Sequence, residues 1–287
     1  MHLAVFLAGF TAILGKLIGL NEGLLVWYRL LLTVGVLFVI MYLKKQLKAI
    51  ALRDVVHISA VGTVIAAHWV TFYGSVKYAN ISVALVCFSA TGFFTAIFEP
   101  LFFKKRIVPA ELFLGMLAIS GIYIIFDFHP QYKLGIIFGI LSAMGSALFP
   151  IMNKKLLKRF SPRVLTFYEL GGGLLVLTVS LPVYLQFYHA DYYFPVLADW
   201  FWLAILAVLC TVVAFDLQLN ALKRISAFTA NLTYNLEPVY GIILAFVFFR
   251  ENKMLHNEFF IGLGLILLAI SLHMWRVIIQ HKRVDGL

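Results

Sequence analysis

Residues 231–251 read NLTYNLEPVYGIILAFVFFRE, and this stretch decides the class of the protein. Glu237 and Pro238 stand in front of an unbroken apolar run that ends at Phe249. A long run of hydrophobic residues is typical of a helix that crosses a membrane. A carboxylate and a proline within a membrane segment both carry a cost in free energy, so their presence indicates a candidate functional site.

The rest of the chain shares this apolar composition. Of its 287 residues, 63% are hydrophobic and only 13% are charged. A soluble globular chain is closer to half apolar and about a quarter charged. The composition therefore excludes a soluble enzyme, a disordered tail and a nucleic-acid-binding protein, and it predicts a lipid bilayer as the main partner. We interpret the net charge of +10 as an orientation signal in loops, not as a nucleic-acid site.

Ten apolar segments follow one another along the chain with short polar loops between them. Backbone groups in lipid must form hydrogen bonds within their own segment, so continuous apolar segments predict helices. The predicted fold is an all-α polytopic membrane protein with ten transmembrane helices. The predicted segments are residues 2–18, 24–43, 55–76, 80–103, 109–126, 133–152, 164–187, 200–220, 227–249 and 257–279.

The loops predict the orientation of these helices. If the N-terminus is cytoplasmic, seventeen of the 23 Lys and Arg residues lie on the cytoplasmic side and four on the outer side. Positive residues concentrate on the cytoplasmic side of membrane proteins. The count predicts a multi-pass membrane protein with both termini cytoplasmic. We expect the cell (inner) membrane of a bacterium as its location.

The two halves of the chain resemble each other. A shift of 146 residues places Phe102-Phe103-Lys104 on Phe248-Phe249-Arg250, and a shift of 140 places Trp27-Tyr28-Arg29 on Phe167-Tyr168-Glu169. We predict a first five-helix unit at 1–126, a second at 133–279 and a cytoplasmic tail at 280–287. Because five is odd, the units should be inverted repeats around a central cavity, as in many secondary transporters.

The quoted stretch and three others resemble the EamA-type branch of the drug/metabolite transporter superfamily. The first unit contributes GFTAILGKLIGL at 9–20 and WYRLLL at 27–32, and the second adds IGLGLILLAIS at 261–271. The first unit departs from the pattern, because Thr91-Gly92 stands where the repeat would place Glu-Pro, and Ala8 stands in LAGF where the family has an early tryptophan. The resemblance spans nearly the whole chain and implies ten helices around a central cavity.

The resemblance also implies a function: export of a small-molecule substrate such as an amino acid. Drug-like cations and nucleosides stay open as substrates, and a non-transporting scaffold or a lipid-acting membrane enzyme is the alternative from another class. The chain has no HExxH or GxSxG motif, and Cys87 and Cys210 both lie in apolar runs. The sequence therefore predicts no enzyme, no cofactor and no metal site. We expect the protein to be a monomer or a weak homodimer.

Glu237 is the strongest candidate for a substrate or coupling residue. It lies about ten residues into the ninth predicted segment, and Pro238 is expected to kink the helix beside it. On a helix Asn231 and Asn235 share one face and Tyr234 shares another with Glu237. We expect both faces to border the cavity, with Glu237 either binding substrate, carrying a coupling proton or stabilising a neighbouring helix end.

Further polar residues at membrane depth are candidates for the same cavity. Trp69 and Tyr73 offer aromatic walls or simple packing, and His68 offers either proton coupling or a hydrogen-bonded packing role. Asp216 is a candidate for the lining of an inner vestibule. Glu99 is expected either to contribute to the site or to pair with a nearby cytoplasmic lysine or arginine, such as Lys104 or Arg106.

Arg29 and Glu169 are repeat mates of opposite charge. Inversion of the units would place Arg29 toward the outer face and Glu169 toward the cytoplasm, so we do not expect them to pair directly. Each is interpreted as a gate residue or as an anchor at the membrane interface.

Overall fold

The computed structural model describes residues 2–47, 49–104, 106–128, 130–214, 216–217 and 236–285. Two short 3-10 turns, Pro130–Tyr132 and Glu251–Lys253, and a π-helix, Val208–Val213, accompany the α-helices. In chain order the described α-helices are α1 His2–Leu17, α2 Glu22–Leu43, α3 Leu52–Tyr78, α4 Ile81–Phe88, α5 Thr91–Phe103, α6 Pro109–Phe128, α7 Lys133–Leu156, α8 Pro162–Phe187, α9 Leu197–Ala207, α10 Glu237–Phe249 and α11 Asn257–Asp285.

These helices confirm the predicted all-α membrane fold. Within the described ranges, six helical segments are long and apolar enough to cross a membrane, and α4 and α5 together form one of them. Four shorter apolar helical segments complete the set: His2–Leu17, Pro109–Ile125, Leu197–Val213 and Glu237–Phe249. All ten correspond in order to the ten predicted segments. The part of the ninth segment before Leu236 lies outside the described residues.

The fourth predicted segment is interrupted near its middle, which the sequence did not predict. Helix α4 ends at Phe88 and α5 begins at Thr91. The Ser89 hydroxyl donates to the carbonyl of Val86 at 2.6 Å, and the Thr91 hydroxyl donates to that of Phe88 at 2.7 Å. Serine and threonine hydroxyls that bond back to the preceding turn compete with backbone hydrogen bonds and bend helices, which accounts for the break.

The predicted repeat has a counterpart in the backbone. Helix α5 ends at Lys104 with φ 53°, and α10 ends at Arg250 with φ 52°. Both residues have a left-handed backbone conformation, which is uncommon for residues other than glycine. Lys104 and Arg250 are the residues that the shift of 146 superimposes; Lys45, after α2, has the same conformation with φ 52°, and the division into two five-helix units stays a prediction.

Glycines allow several helix pairs to approach closely, as small residues do in membrane proteins. A β-carbon added at Gly62 of α3 would overlap the carbonyl of Glu169 in α8, and one added at Gly173 would crowd the carbonyl of Gly62. In α6 and α11, Gly121 and Gly262 face each other in the same way. Helix α3 is therefore held against the second unit through α8.

Candidate functional site

Arg29 is a buried cation in the second turn of α2. The residue is only 4% exposed. Its Nη1 donates to the Tyr73 hydroxyl at 2.8 Å, and its Nε and Nη2 donate to Thr211 Oγ1 at 3.2 and 3.1 Å. Its guanidinium carbon lies 3.6 Å from the centre of the Trp69 ring, within cation–π range. The interface-anchor interpretation of Arg29 is therefore wrong, because the side chain is enclosed by protein.

Helix α3 supplies the aromatic part of this site. Trp69 and Tyr73 are four residues apart and lie on one face of the helix. The Tyr73 ring lies against Gly15 of α1, where an added β-carbon would overlap it. The sequence predicts either aromatic walls or simple packing for these two residues, and the structure places both beside Arg29. The sequence did not predict this contact, because helix registers cannot be read from one chain.

Thr211 reaches Arg29 from the second unit and was missed by sequence reasoning. It lies in the π-helix, and its hydroxyl donates to the carbonyl of Leu206 at 2.9 Å while accepting from Arg29. Short π-helical turns within α-helices are rare overall. Where they occur, they often lie at functional sites. We call Arg29, Trp69, Tyr73 and Thr211 the arginine cluster.

His68 lies one residue before Trp69 but is held by other partners. Its Nδ1 lies 2.9 Å from both the carbonyl oxygen and the hydroxyl of Ser142 in α7. The imidazole is stacked on Phe88, with ring centres 5.6 Å apart. These contacts correspond to the hydrogen-bonded packing role, and proton coupling at His68 stays a prediction.

Glu169 is a buried carboxylate in α8. It is 4% exposed. Its Oε1 contacts no hydrogen-bond donor in the described structure. No ion pair joins it to Arg29 among the described residues. Glu169 is enclosed by protein, so the interface-anchor interpretation is wrong for this residue too, and the gate interpretation is kept as a prediction.

Glu237 is the first residue of α10 and is partly exposed. No described residue donates a hydrogen bond to its carboxylate, and its backbone carbonyl lies close to Gly9 of α1. Pro238 is in the first turn of α10, where a missing N–H breaks no helical hydrogen bond. A kink at Pro238 stays a prediction, and three preceding candidates lie outside the described residues: Asn231, Tyr234 and Asn235.

Glu99 and Asp216 form ion pairs away from the arginine cluster. Glu99 accepts from Lys154 at 2.9 Å, whereas the sequence had suggested Lys104 or Arg106 as partners. Asp216 accepts from Arg163 at 2.7 Å. The structure also pairs Arg159 with Asp54 and Arg276 with Glu111. We call the end of the helices that carries these four pairs the basic end.

The opposite end of the helices carries carboxylates that the sequence analysis did not select. Glu22, the first residue of α2, is buried and accepts a hydrogen bond from the hydroxyl of Tyr184 at 2.6 Å. The hydroxyl of Tyr78 lies 3.4 Å from the same oxygen. The sequence did not predict the burial of these carboxylates, because they lie in loops or at helix ends.

Two further buried carboxylates tie loops together at this end. Asp199 accepts from the backbone N–H of Gly19 at 2.9 Å and from the hydroxyl of Tyr192 at 2.6 Å. Glu251 accepts from the N–H groups of Ile81 and Ser82 at 3.1 and 2.8 Å. We define the tyrosine end by these six residues: Glu22, Tyr78, Tyr184, Tyr192, Asp199 and Glu251.

A groove of about 430 Å³ lies between α2 and α8. It is mainly apolar, and Trp27 donates to the Thr178 hydroxyl at 2.8 Å beside it. Its lining is formed by Leu24, Trp27, Thr178, Leu181, Pro182, Leu185 and Tyr193. None of these residues was a predicted site residue. Within the described ranges, no three His, Cys, Asp or Glu side chains gather in a way that could hold a metal ion.

The profile of the EamA-like transporter family matches residues 1–127 and, in a second match, residues 133–275. The chain belongs to the EamA-like transporter family. The two successive matches confirm the resemblance that the sequence motifs indicated. An EamA-like transporter is a multi-pass membrane protein, and the helices described above agree with that.

Two similar proteins carry names of the same kind. An uncharacterized transporter of Archaeoglobus fulgidus is 31% identical over 172 residues, which cover 60% of this EamA-like chain and 59% of that relative. The uncharacterized transporter YetK of Bacillus subtilis is 25% identical, over 99% of this chain and 87% of YetK. A protein of known crystal structure shares the fold with a TM-score of 0.64 at 16% identity, over 96% and 95% of the two chains.

Proposed function

We propose that this EamA-like protein exports small organic solutes such as amino acids, by alternating movement of its two five-helix units. The arginine cluster supports this proposal best. Arg29, Trp69 and Tyr73 come from the first unit and Thr211 comes from the second. A polar cluster buried between two repeats is the arrangement expected at a transporter's substrate site.

The orientation of the proposed exporter places the basic end in the cytoplasm of a bacterial cell. Labelling single cysteines with a membrane-impermeant maleimide tests this. His189→Cys, at the tyrosine end, should react in intact cells, whereas Lys158→Cys should react only after permeabilisation. Cys87 and Cys210 are buried and give a low background. Reaction of Lys158→Cys in intact cells would show that the orientation is inverted.

Solute counterflow in proteoliposomes tests transport itself. Purified protein should exchange radiolabelled solute for unlabelled solute, and the panel should contain amino acids, nucleosides and drug-like cations. Exchange of any one class would identify the substrate among the alternatives. A folded, monodisperse sample that exchanges none of them would favour a scaffold or a lipid-acting enzyme over a transporter.

Glu237 is proposed as the carboxylate on which transport depends most. It lies in the membrane segment with no described hydrogen-bond donor, next to the close contact between α10 and Gly9 of α1. If it carries a coupling proton, Glu237→Gln should abolish flux driven by a pH gradient and keep exchange. If it binds substrate, both should fall.

Glu99→Gln is the matched control for Glu237→Gln. Glu99 is paired with Lys154 at the basic end and is 34% exposed in its side chain. We expect flux within about twofold of wild type, because an exposed ion pair contributes at most about 1 kcal/mol. Normal expression and normal flux in Glu237→Gln would contradict the role given to Glu237.

A further inference from the structure

We propose that the transported solute carries a carboxylate and that this carboxylate binds the guanidinium of Arg29. The inference rests on the proposed transport function and narrows its substrate class. It selects acids and amino acids over drug-like cations and over nucleosides. Three observations carry it: the burial of Arg29, the missing counter-charge, and the geometry of its hydrogen bonds.

The guanidinium of Arg29 has no carboxylate partner in the described structure. Its hydrogen-bond acceptors are the hydroxyls of Tyr73 and Thr211, and neither carries a formal charge. The undescribed stretch 218–235 cannot supply a carboxylate side chain, because its sequence contains no Asp or Glu. Asp127 and Asp285, whose side chains are not described, are at the C-terminal ends of α6 and α11.

An uncompensated cation inside a membrane protein is costly, and charged groups there usually mark a substrate or ion pathway. The other described arginine pairs of this chain are at the basic end and include their own carboxylates. Arg29 differs from these arginines because it is buried and has no carboxylate partner in the described structure. A solute anion would provide the charge that the protein does not.

The hydrogen bonds of Arg29 show where such an anion would bind. Nε and Nη2 both donate to the single oxygen of Thr211, so this hydroxyl occupies the edge of the guanidinium that a carboxylate binds with two oxygens. A guanidinium has five N–H donors, and three of them have acceptors here. Trp69 covers one face of the group, which directs a ligand into its plane.

Thr211 belongs to the second unit, whereas the rest of the cluster belongs to the first. Movement of one unit against the other would withdraw the Thr211 hydroxyl and leave that edge of Arg29 open to solute. One guanidinium balances one negative charge, so a carboxylate suits this site better than a doubly charged phosphate. The same geometry opposes binding of an organic cation.

Counterflow with paired solutes tests the proposal. Each carboxylate should be compared with its amide and with the amine that lacks the carboxyl group, and inorganic phosphate should be included. We expect the carboxylates to exchange at least tenfold faster than their amides and amines. Arg29→Gln should remove that preference, while Arg163→Gln, which alters a paired arginine at the basic end, should keep it.

Binding to the unmodified protein provides a measurement that does not depend on the folding of a variant. A transported carboxylate should raise the thermal unfolding midpoint and quench tryptophan fluorescence, and its amide should do neither. Equal shifts from acid and amide would overturn the proposal, and so would an unchanged carboxylate preference in Arg29→Gln.

The failures of the two proposals look different. If wild-type protein exchanges cations or nucleosides without discriminating against amides, transport stands and the carboxylate site is wrong. If a folded protein exchanges no member of the panel and none stabilises it, the proposed transport function fails as well, and the carboxylate site with it.

Discussion

The two ends of the helical bundle hold the five-helix units together by different chemistry. At the tyrosine end the carboxylates of Glu22, Asp199 and Glu251 are 2%, 2% and 3% exposed, and hydroxyl or backbone N–H groups bind them. At the basic end the groups that join the units include the ion pairs Lys154–Glu99 and Arg159–Asp54, whose cations are exposed. Lys154 and Arg159 are 57% and 64% exposed in their side chains.

This difference indicates which end resists separation of the units. Hydrogen bonds from neutral donors to a buried carboxylate each contribute about 1.5–3 kcal/mol, whereas an exposed ion pair contributes about 0–1 kcal/mol. The structure is therefore closed firmly at the tyrosine end and loosely at the basic end. The following four predictions test this contrast, from the largest expected effect to the smallest.

Removal of the Glu251 carboxylate should have the largest effect. Glu251→Ala leaves the N–H groups of Ile81 and Ser82 buried without an acceptor, and we expect a loss of about 3 kcal/mol. Thermal unfolding in detergent measures it as a lower midpoint. Lys253→Ala, two residues along the same loop and exposed, should leave the midpoint unchanged. Equal midpoints for both variants would contradict the contrast.

The Tyr184 hydroxyl should contribute a smaller but clear amount. Tyr184→Phe keeps the ring and removes the 2.6 Å hydrogen bond to Glu22, so we expect a loss of about 2 kcal/mol. Tyr188→Phe is the control, because the Tyr188 ring stacks on Tyr184 but its hydroxyl donates to no described residue. The same destabilisation in both variants would point to the rings and not to the carboxylate bond.

The basic end should respond weakly. Arg159→Gln removes the pair with Asp54, and we expect a loss of at most about 1 kcal/mol because the arginine is exposed. The double variant Arg159→Gln/Asp54→Asn should be no less stable than either single variant. High salt should shrink the difference from wild type. A loss as large as that of Glu251→Ala would show that both ends hold the units equally.

The smallest expected effect is a pH dependence at the tyrosine end. Burial, together with the hydrogen bond to Asp199, raises the pKa of Tyr192 from its ordinary value of 10.0 to about 12. A raised pKa means that the contribution is complete below about pH 10 and is lost as pH rises through about 12. The midpoint difference between wild type and Tyr192→Phe should therefore narrow over this range. A constant difference would show that the hydroxyl does not titrate there.

The fold could be predicted from the sequence because hydrophobic run length and loop charge are local properties. All ten segments were found, and several of the described boundaries agree to within two residues, as for α2 at Glu22–Leu43 against 24–43. The break at Ser89 was missed, since the hydroxyl bonds that cause it compete with an otherwise helical pattern. The π-helix was missed because its apolar residues suit either helix type.

The site was predicted only in part, because contacts between helices depend on registers that one sequence does not contain. Arg29, Trp69 and Tyr73 were each selected as unusual residues at membrane depth, yet as separate candidates. Thr211 was not selected, since a threonine in a membrane helix is unremarkable by itself. The buried carboxylates of the tyrosine end were missed because loop position suggested exposure.

The π-helix Val208–Val213 changes the phase of its span. Each residue of an α-helix turns the chain by about 100°, and a π-helical turn adds one residue to the turn. The described residues directly after Val213, which are Ala214, Asp216 and Leu217, are therefore rotated by about 100° from where continuous α-helical winding would put them. No single stripe can face one neighbour along the whole span. Deleting one residue here would restore α-helical winding and keep the following described residues, including Asp216, on the side of the helix that they occupy now.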